Sequence, residues 1–264
     1  MPATIRSLCD FLEDFAPTDL AEDWDNVGLL VGDPQRPVER LMTCLTVTPA
    51  SAKEAIQKKA DLIVTHHPLP FHAVKQLTTE STTGRILLDL IRANVAVYSP
   101  HTAFDSTFAG INQQLAEGLH LSEIHPLDFD PQSPSETGIG RCGLLPTNLS
   151  LADVASQLKG FLTIESVQAV GDPDKPIQKI AVGCGSAGHL LSLARCRGCD
   201  LFITGETTFH NCLEAEATGL SLLLVGHYHS ERFGLEELAR VLAKSFKTIE
   251  VWPSAAESSP LRRL

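Results

Sequence analysis

Two stretches decide how this sequence reads: Asp61-Leu-Ile-Val-Thr65 and Asp200-Leu-Phe-Ile-Thr204. Each is a short apolar run with an acid before it and a hydroxyl at its end, the composition of a buried strand. A polar pair follows each run, His66-His67 in the first copy and Gly205-Glu206 in the second. Outward from there, a helical pattern and another apolar run come next in both copies. The first copy then reaches His101-Thr-Ala-Phe-Asp105, and the second reaches His227-Tyr-His-Ser-Glu231. Both read histidine, three residues, carboxylate. This internal repeat of strand and helix predicts an α/β protein with two pseudo-symmetric α/β lobes, each built on a largely parallel sheet.

The flanking pattern supports this division. A helix is expected over residues 4–15 with Thr4 as its cap, and Thr48-Pro49 is a hydroxyl cap followed by proline at the first helical position. Further helices are expected over 83–93, 149–159, 187–196, 209–218 and 230–245, between strands at 40–47, 61–65, 95–98, 166–170, 179–183, 201–204 and 221–225. Residues 126–140 carry three prolines and no period, so they read as a linker. The first lobe is therefore expected at 1–125, the second at 141–252, and a loose Ser/Pro/Ala-rich tail at 253–264.

Composition narrows the function. The 264 residues are 43% apolar, enough to bury a core, and no apolar run has the length of a membrane span. A net charge of −11 repels phosphate backbones and excludes general nucleic-acid binding. Asp10, Glu13 and Asp14 interrupt the first 16 residues, which predicts an amphipathic helix rather than a signal peptide. With seven irregularly spaced cysteines, a reducing, cytoplasmic location follows as the expectation. Cys196-Arg-Gly-Cys199 lacks a second pair and reads as two thiols between helix and strand rather than a zinc clip.

The repeat carries the chemistry. On the first turn of a helix, His-x-x-x-Asp/Glu puts both side chains on one face, and imidazole with carboxylate suits a divalent first-row metal. Each pair follows a strand, at the end of an α/β sheet where ligands bind. His66, His67, His101, Asp105, His227 and Glu231 thus form a candidate metal site, with matched places in the two halves as the argument against chance. His72, His120, His125, His189 and His229 read as ordinary histidines, and His210 is left open.

These stretches, with Trp24-Asp-Asn-Val-Gly-Leu-Leu-Val-Gly32, Pro68, Gly140-Arg141 and Thr204-Gly-Glu206, resemble the Nif-three-like dinuclear metal-centre family. Its members are also called GTP cyclohydrolase 1 type 2 homologs, and the resemblance runs in order over nearly the whole chain. It implies a cleft between the two lobes that holds two divalent metal ions. The implied ligands are His66, His67, Asp105, His227 and Glu231, with Glu231 bridging the ions. It places His101 at the edge, as outer ligand or proton carrier, and it implies a homo-oligomer, a ring-shaped hexamer. Members often have Thr-Gly-Asp where this chain has Thr204-Gly205-Glu206, and the inserted domain of some relatives is absent.

Three functions remain open on the sequence. A metal-dependent hydrolase acting on a small molecule is the first, with His101 or Glu206 moving protons and Zn, Fe, Mn, Co or Ni all compatible with the ligands. Hydrolysis of GTP rests on the family's name alone. The second is a non-enzymatic metal-binding or scaffold protein. The third is a dinucleotide binder, because Gly183-Cys-Gly185-Ser-Ala-Gly188 matches G-x-G-x-x-G between strand and helix.

Overall fold

The repeated Asp-Leu-(Ile/Phe)-(Val/Ile)-Thr runs are interior strands of two separate sheets. The computed structural model describes residues 3–128 and 136–262, and its contacts divide the chain into two units. One unit comprises Met1–Phe104 with Gly234–Leu264, and the other Asp105–Phe233.

In the first unit, helix α1 (Ile5–Phe15) starts in a capping box, in which Thr4 and Ser7 each bond the other's backbone N–H. Strand β1 (Gly28–Val31), β2 (Arg40–Cys44), α2 (Pro49–Gln57), β3 (Leu62–Thr65), α3 (Thr82–Arg92) and β4 (Ala96–Ser99) follow. Thr48 repeats the capping box at α2. Helix α4 (His101–Ser106) leads into the second unit. That unit contains α5 (Ile111–Gly118), β5 (Ser122–His125), β6 (Arg141–Ser150), α6 (Leu151–Leu162), β7 (Gln168–Val170) and β8 (Pro176–Gly183). It continues with α7 (Leu191–Cys196), β9 (Leu201–Thr204), α8 (Phe209–Thr218), β10 (Ser221–Leu224) and the start of α9 (His227–Ser245). The chain then returns to the first unit with β11 (Glu250–Pro253).

The sheet of the first unit orders its strands β1-β4-β3-β2-β11, and that of the second β5-β6-β8-β9-β10-β7. The repeat is visible in both. β2, β3 and β4 run parallel, as do β8, β9 and β10, and the strand before each set, β1 or β7, adds antiparallel to its last member. Met42, Ile63, Leu90 and Val97 are in the core of one sheet, and Ala181, Leu191, Phe202 and Leu222 in that of the other.

The repeated polar residues have repeated structural work. Asp61 accepts from the backbone N–H groups of Glu39 and Arg40, and Asp200 accepts from those of Gln178 and Lys179. Each acid thus satisfies backbone donors of the preceding strand, at the start of β2 and just before β8 begins to pair with β9. At the other end, the hydroxyl of Thr65 donates to Leu45 O, and that of Thr204 to Gly185 O.

Several elements differ from the sequence expectation. Helix α5 and strands β1, β5, β6 and β11 were not anticipated, because β6 contains Pro146 and lacks clean alternation, and the other strands are short. Helix α9 begins at His227, three residues before the expected start. The grouping into units also crosses the expected boundaries at 125, 141 and 252: α5 and β5 belong with the second unit, and β11 pairs in parallel with β2. Part of the expected linker, residues 129–135, lies outside the described residues. Residues 254–257, the first part of the tail expected to be loose, are tied down. Glu54 accepts from Ser254 Oγ and from the N–H groups of Ala255 and Ala256, and Glu257 accepts from those of Leu45 and Thr46. Among the described residues no helix is long and apolar enough to cross a membrane.

Candidate metal centre

In the first unit, the loop after β3 presents His66 and His67 at the carboxyl end of the sheet. Their N–H groups donate to Cys44 O and Leu45 O, so the ladder extends past the strand and fixes the backbone of both. Ser99 Oγ donates to His66 O and joins this loop to β4. His66 is fully buried, and His101, at the start of α4, is 9% exposed. His101 has φ +26°, an uncommon conformation for a residue with a side chain. The rings of His66, His67 and His101 have centroids 5.0–5.6 Å apart, and one ligand nitrogen from each lies within 4.8 Å of the others. His101, expected at the edge of the site, is thus grouped with the paired histidines.

The outer partners of these rings were not legible in the sequence. His67 Nδ1 is 2.6 Å from Thr46 Oγ1, and His101 Nδ1 is 2.7 Å from Asp25 Oδ1. Asp25 also accepts from the N–H and hydroxyl of Thr102. Burial pushes the Asp25 carboxyl up, but the bonds from His101 and Thr102 outweigh it and bring the pKa down to about 2. An oxygen on Nδ1 fixes the ring and leaves Nε2 for a ligand. Asp25 stands in the Trp24-Asp-Asn-Val-Gly stretch, which was the available signal; nothing around Thr46 distinguishes it.

The second unit places His227 and Glu231 on the first turn of α9, with His227 Nε2 3.1 Å from Glu231 Oε2. His227 Nδ1 is 3.0 Å from Glu206 Oε1. Glu206 therefore has the same relation to His227 that Asp25 has to His101, an orienting contact beside the proton-carrying role expected from the sequence. The Glu231 bond, opposed by burial and helped by Glu206, raises the His227 pKa to about 9, so metal binding here would release a proton. Glu231 is 3% exposed.

Asp105 faces the same region. Burial, with the Asp105 and Glu231 carboxylates adding to it, pushes the Cys184 thiol far up from its ordinary value. Asn112 links the two loops by donating to Asp105 O and accepting from Cys184 N–H at 2.7 Å. The buried Arg141 braces the chain beyond Asp105, donating to Gln113 Oε1 and to the carbonyls of Ser106, Thr107, Gly138 and Gly140.

The glycine motif is occupied by the protein itself. A Cβ on Gly185, which has φ +65°, would lie 2.1 Å from Glu231 Oε1 and 3.4 Å from His227 Nε2. One on Gly188 would lie 2.0 Å from Thr207 Oγ1. The glycines admit side chains of the same unit, which accounts for them without a dinucleotide. His210 is exposed beside Phe209, and Cys196 and Cys199 are unbridged, one exposed and one buried.

Residues 3–260 match the family described as Duf34/NIF3 (NGG1p interacting factor 3). The chain is 36% identical over 231 residues to a GTP cyclohydrolase 1 type 2 homolog of Clostridium acetobutylicum, covering 88% of this chain and 86% of that one. It is 34% identical to NIF3-like protein 1 of Drosophila melanogaster over 95% of this chain and 86% of that one. A solved hypothetical protein of Staphylococcus aureus, SA1388, superimposes with a TM-score of 0.91 at 28% identity, covering 100% of both chains.

Proposed function

The chain belongs to the Duf34/NIF3 family, and from that premise we propose that it is a metal-dependent hydrolase with a dinuclear centre. The proposed ligands are His66, His67, Asp105, His227 and Glu231, with Glu231 bridging and His101 as a further donor. The observation that carries this reading is the treatment of the histidines: His67, His101 and His227 each have an oxygen of Thr46, Asp25 or Glu206 against Nδ1. Protein histidines that bind metal have this outer contact, which sets the tautomer and raises the basicity of the free nitrogen.

When bound, two divalent ions would supply a water of lowered pKa and would polarise the group under attack. Asp105 and Glu231 would offset the charge of the ions, and Glu206 and Asp25 would keep the imidazoles of His227 and His101 aimed. The donor set of nitrogen and carboxylate oxygen suits Zn, Fe, Mn, Co or Ni. We further propose a cytoplasmic homo-oligomer, a hexamer, in line with the family resemblance.

The test is elemental analysis joined to hydrolysis assays on GTP and on an activated phosphodiester. The expected result is two ions per chain, activity lost to a chelator and regained with metal, and one ion or none in Glu231→Gln. Full metal content in both His66→Ala and His67→Ala would refute the ligand set. Two ions with no hydrolysis of either substrate class would turn the reading toward metal storage or scaffolding.

A further inference from the structure

Trp24 and Phe71 are large aromatic side chains left 61% and 43% exposed, and both lie against the histidine cluster of the first unit. Their centroids are 6.0 Å apart, and each is also 6.0 Å from the His101 ring. Two exposed aromatic rings on a surface mean little by themselves. These two differ because hydrogen bonds hold the chain on both sides of Trp24 and just before Phe71.

Residues 22–25 form a turn, Asp25 N–H donating to Glu22 O, with Trp24 inside it. Glu22 N–H donates to Thr102 Oγ1 before the tryptophan, and Asp25 bonds His101 and Thr102 after it. Asn26 Nδ2 then donates to Pro70 O at 2.7 Å, which ties the tryptophan segment to the residue next to Phe71. The frame that orients the donor His101 therefore also sets the position of both rings. Holding rigid aromatic surface in place before a ligand arrives lowers the ordering cost of binding.

We propose that Trp24, backed by Phe71, is a stacking platform for a flat heteroaromatic ring, a purine base, carried by the substrate of the neighbouring metal centre. The inference rests on the hydrolase reading given above. Geometry separates two ways of binding. A base sandwiched between parallel rings needs about 7 Å between them, two stacking distances. The observed 6.0 Å at an interplanar angle of 39° is too narrow, so the base stacks on the indole outside the pair, with Phe71 beside it. Trp24 meets His101 edge-on at 78°, so a ring stacked on it lies beside the imidazole donors. Two rings are too little surface for a stable protein interface, which needs on the order of 1,000 Å².

The chain has two tryptophans, so Trp252→Phe leaves Trp24 as the reporter. Metal-loaded Trp252→Phe protein is titrated with guanosine and with adenosine, and ribose serves as the control. The expected result is saturable quenching by both nucleosides and none by ribose. Equilibrium dialysis of Trp24→Ala should show binding weakened about tenfold, with Phe71→Ala affected less and Trp24→Phe restoring much of it. Metal content and unfolding midpoint, measured on the same samples, should not change. Absence of saturable quenching up to millimolar nucleoside, or equal affinity in Trp24→Ala, overturns the inference and leaves the metal reading intact. A change in oligomeric state in Trp24→Ala and Phe71→Ala would overturn it in favour of a contact between copies. Normal nucleoside binding by metal-loaded protein that hydrolyses neither GTP nor the activated phosphodiester would instead refute the hydrolase reading and leave the platform standing.

Discussion

Gly185→Ala tests the proposed centre without removing a single donor atom. Gly185 lies in the loop after β8, and a methyl built there meets Glu231 Oε1 at 2.1 Å. Contacts of a real Cβ begin at about 3.0 Å, so the carboxylate must retreat by roughly 0.9 Å, the difference between the two. His227 Nε2, at 3.4 Å from the same methyl, blocks part of the space into which it could move. Metal ligands tolerate displacements of only about 0.2 Å. The shift is several times larger, so the ion held by Glu231 should bind at least about a hundredfold more weakly. The fold suffers much less, because the atom in the way is the end of a side chain. The left-handed conformation at φ +65° costs a residue with a Cβ about 1–2 kcal/mol, a fall of a few degrees in melting temperature. The assay pairs metal stoichiometry by elemental analysis with thermal unfolding of the metal-free protein. Loss of metal with a small loss of stability is the expected pair. Wild-type metal affinity in a folded Gly185→Ala protein would show that Glu231 is not a ligand, and the bridging role would have to be abandoned.

Two further outcomes concern the scaffold. Burial raises the Glu54 carboxyl, but bonds from Lys58, Ser254, Ala256 and Ala255 dominate and lower its pKa from 4.5 to about 2. A depressed folded pKa stabilises the protein above the unfolded value and loses that effect as pH falls from 4.5 towards 2, so Glu54→Gln should cost about 2 kcal/mol at pH 7, discounted for the half-exposed Lys58, and nothing at the acid end. Urea unfolding of both proteins across that range checks it, and a gap independent of pH would show that the carboxylate charge is irrelevant. Arg141→Met leaves the Gln113 oxygen and several buried carbonyls without their charged donor, and should cost more than about 3 kcal/mol in chemical denaturation. A loss below about 1 kcal/mol would mean that solvent replaces the guanidinium.

Much of the site could be read from the sequence because its residues are local in the chain. Asp61-Leu-Ile-Val-Thr65 and Asp200-Leu-Phe-Ile-Thr204 define strand, strand end and loop by composition, so His66, His67 and Glu206 could be placed at the carboxyl ends of strands before any coordinates. His101/Asp105 and His227/Glu231 are pairs within single helices, and helical periodicity alone sets their spacing. The work of Asp61 and Asp200 was less visible, since the same acid fits a turn or a surface.

What the tertiary structure decided involves residues far apart in the chain. Asp25 meets His101 across 76 positions, Thr46 meets His67 across 21, and Glu206 meets His227 across 21. No local pattern marks such pairs, because a hydrogen bond between loops depends on how strands are ordered in the sheet and not on the period along either one. The same holds for β11, which adds to β2 from 210 residues away, and for the division into units, which follows that pairing instead of the proline-rich stretch. The glycine motif shows the limit most clearly. Gly183-Cys-Gly185-Ser-Ala-Gly188 shows in sequence that something must approach the backbone closely. Only the packing of α9 against that loop identifies Glu231 as the group that does, because steric exclusion acts in space whatever the separation along the chain.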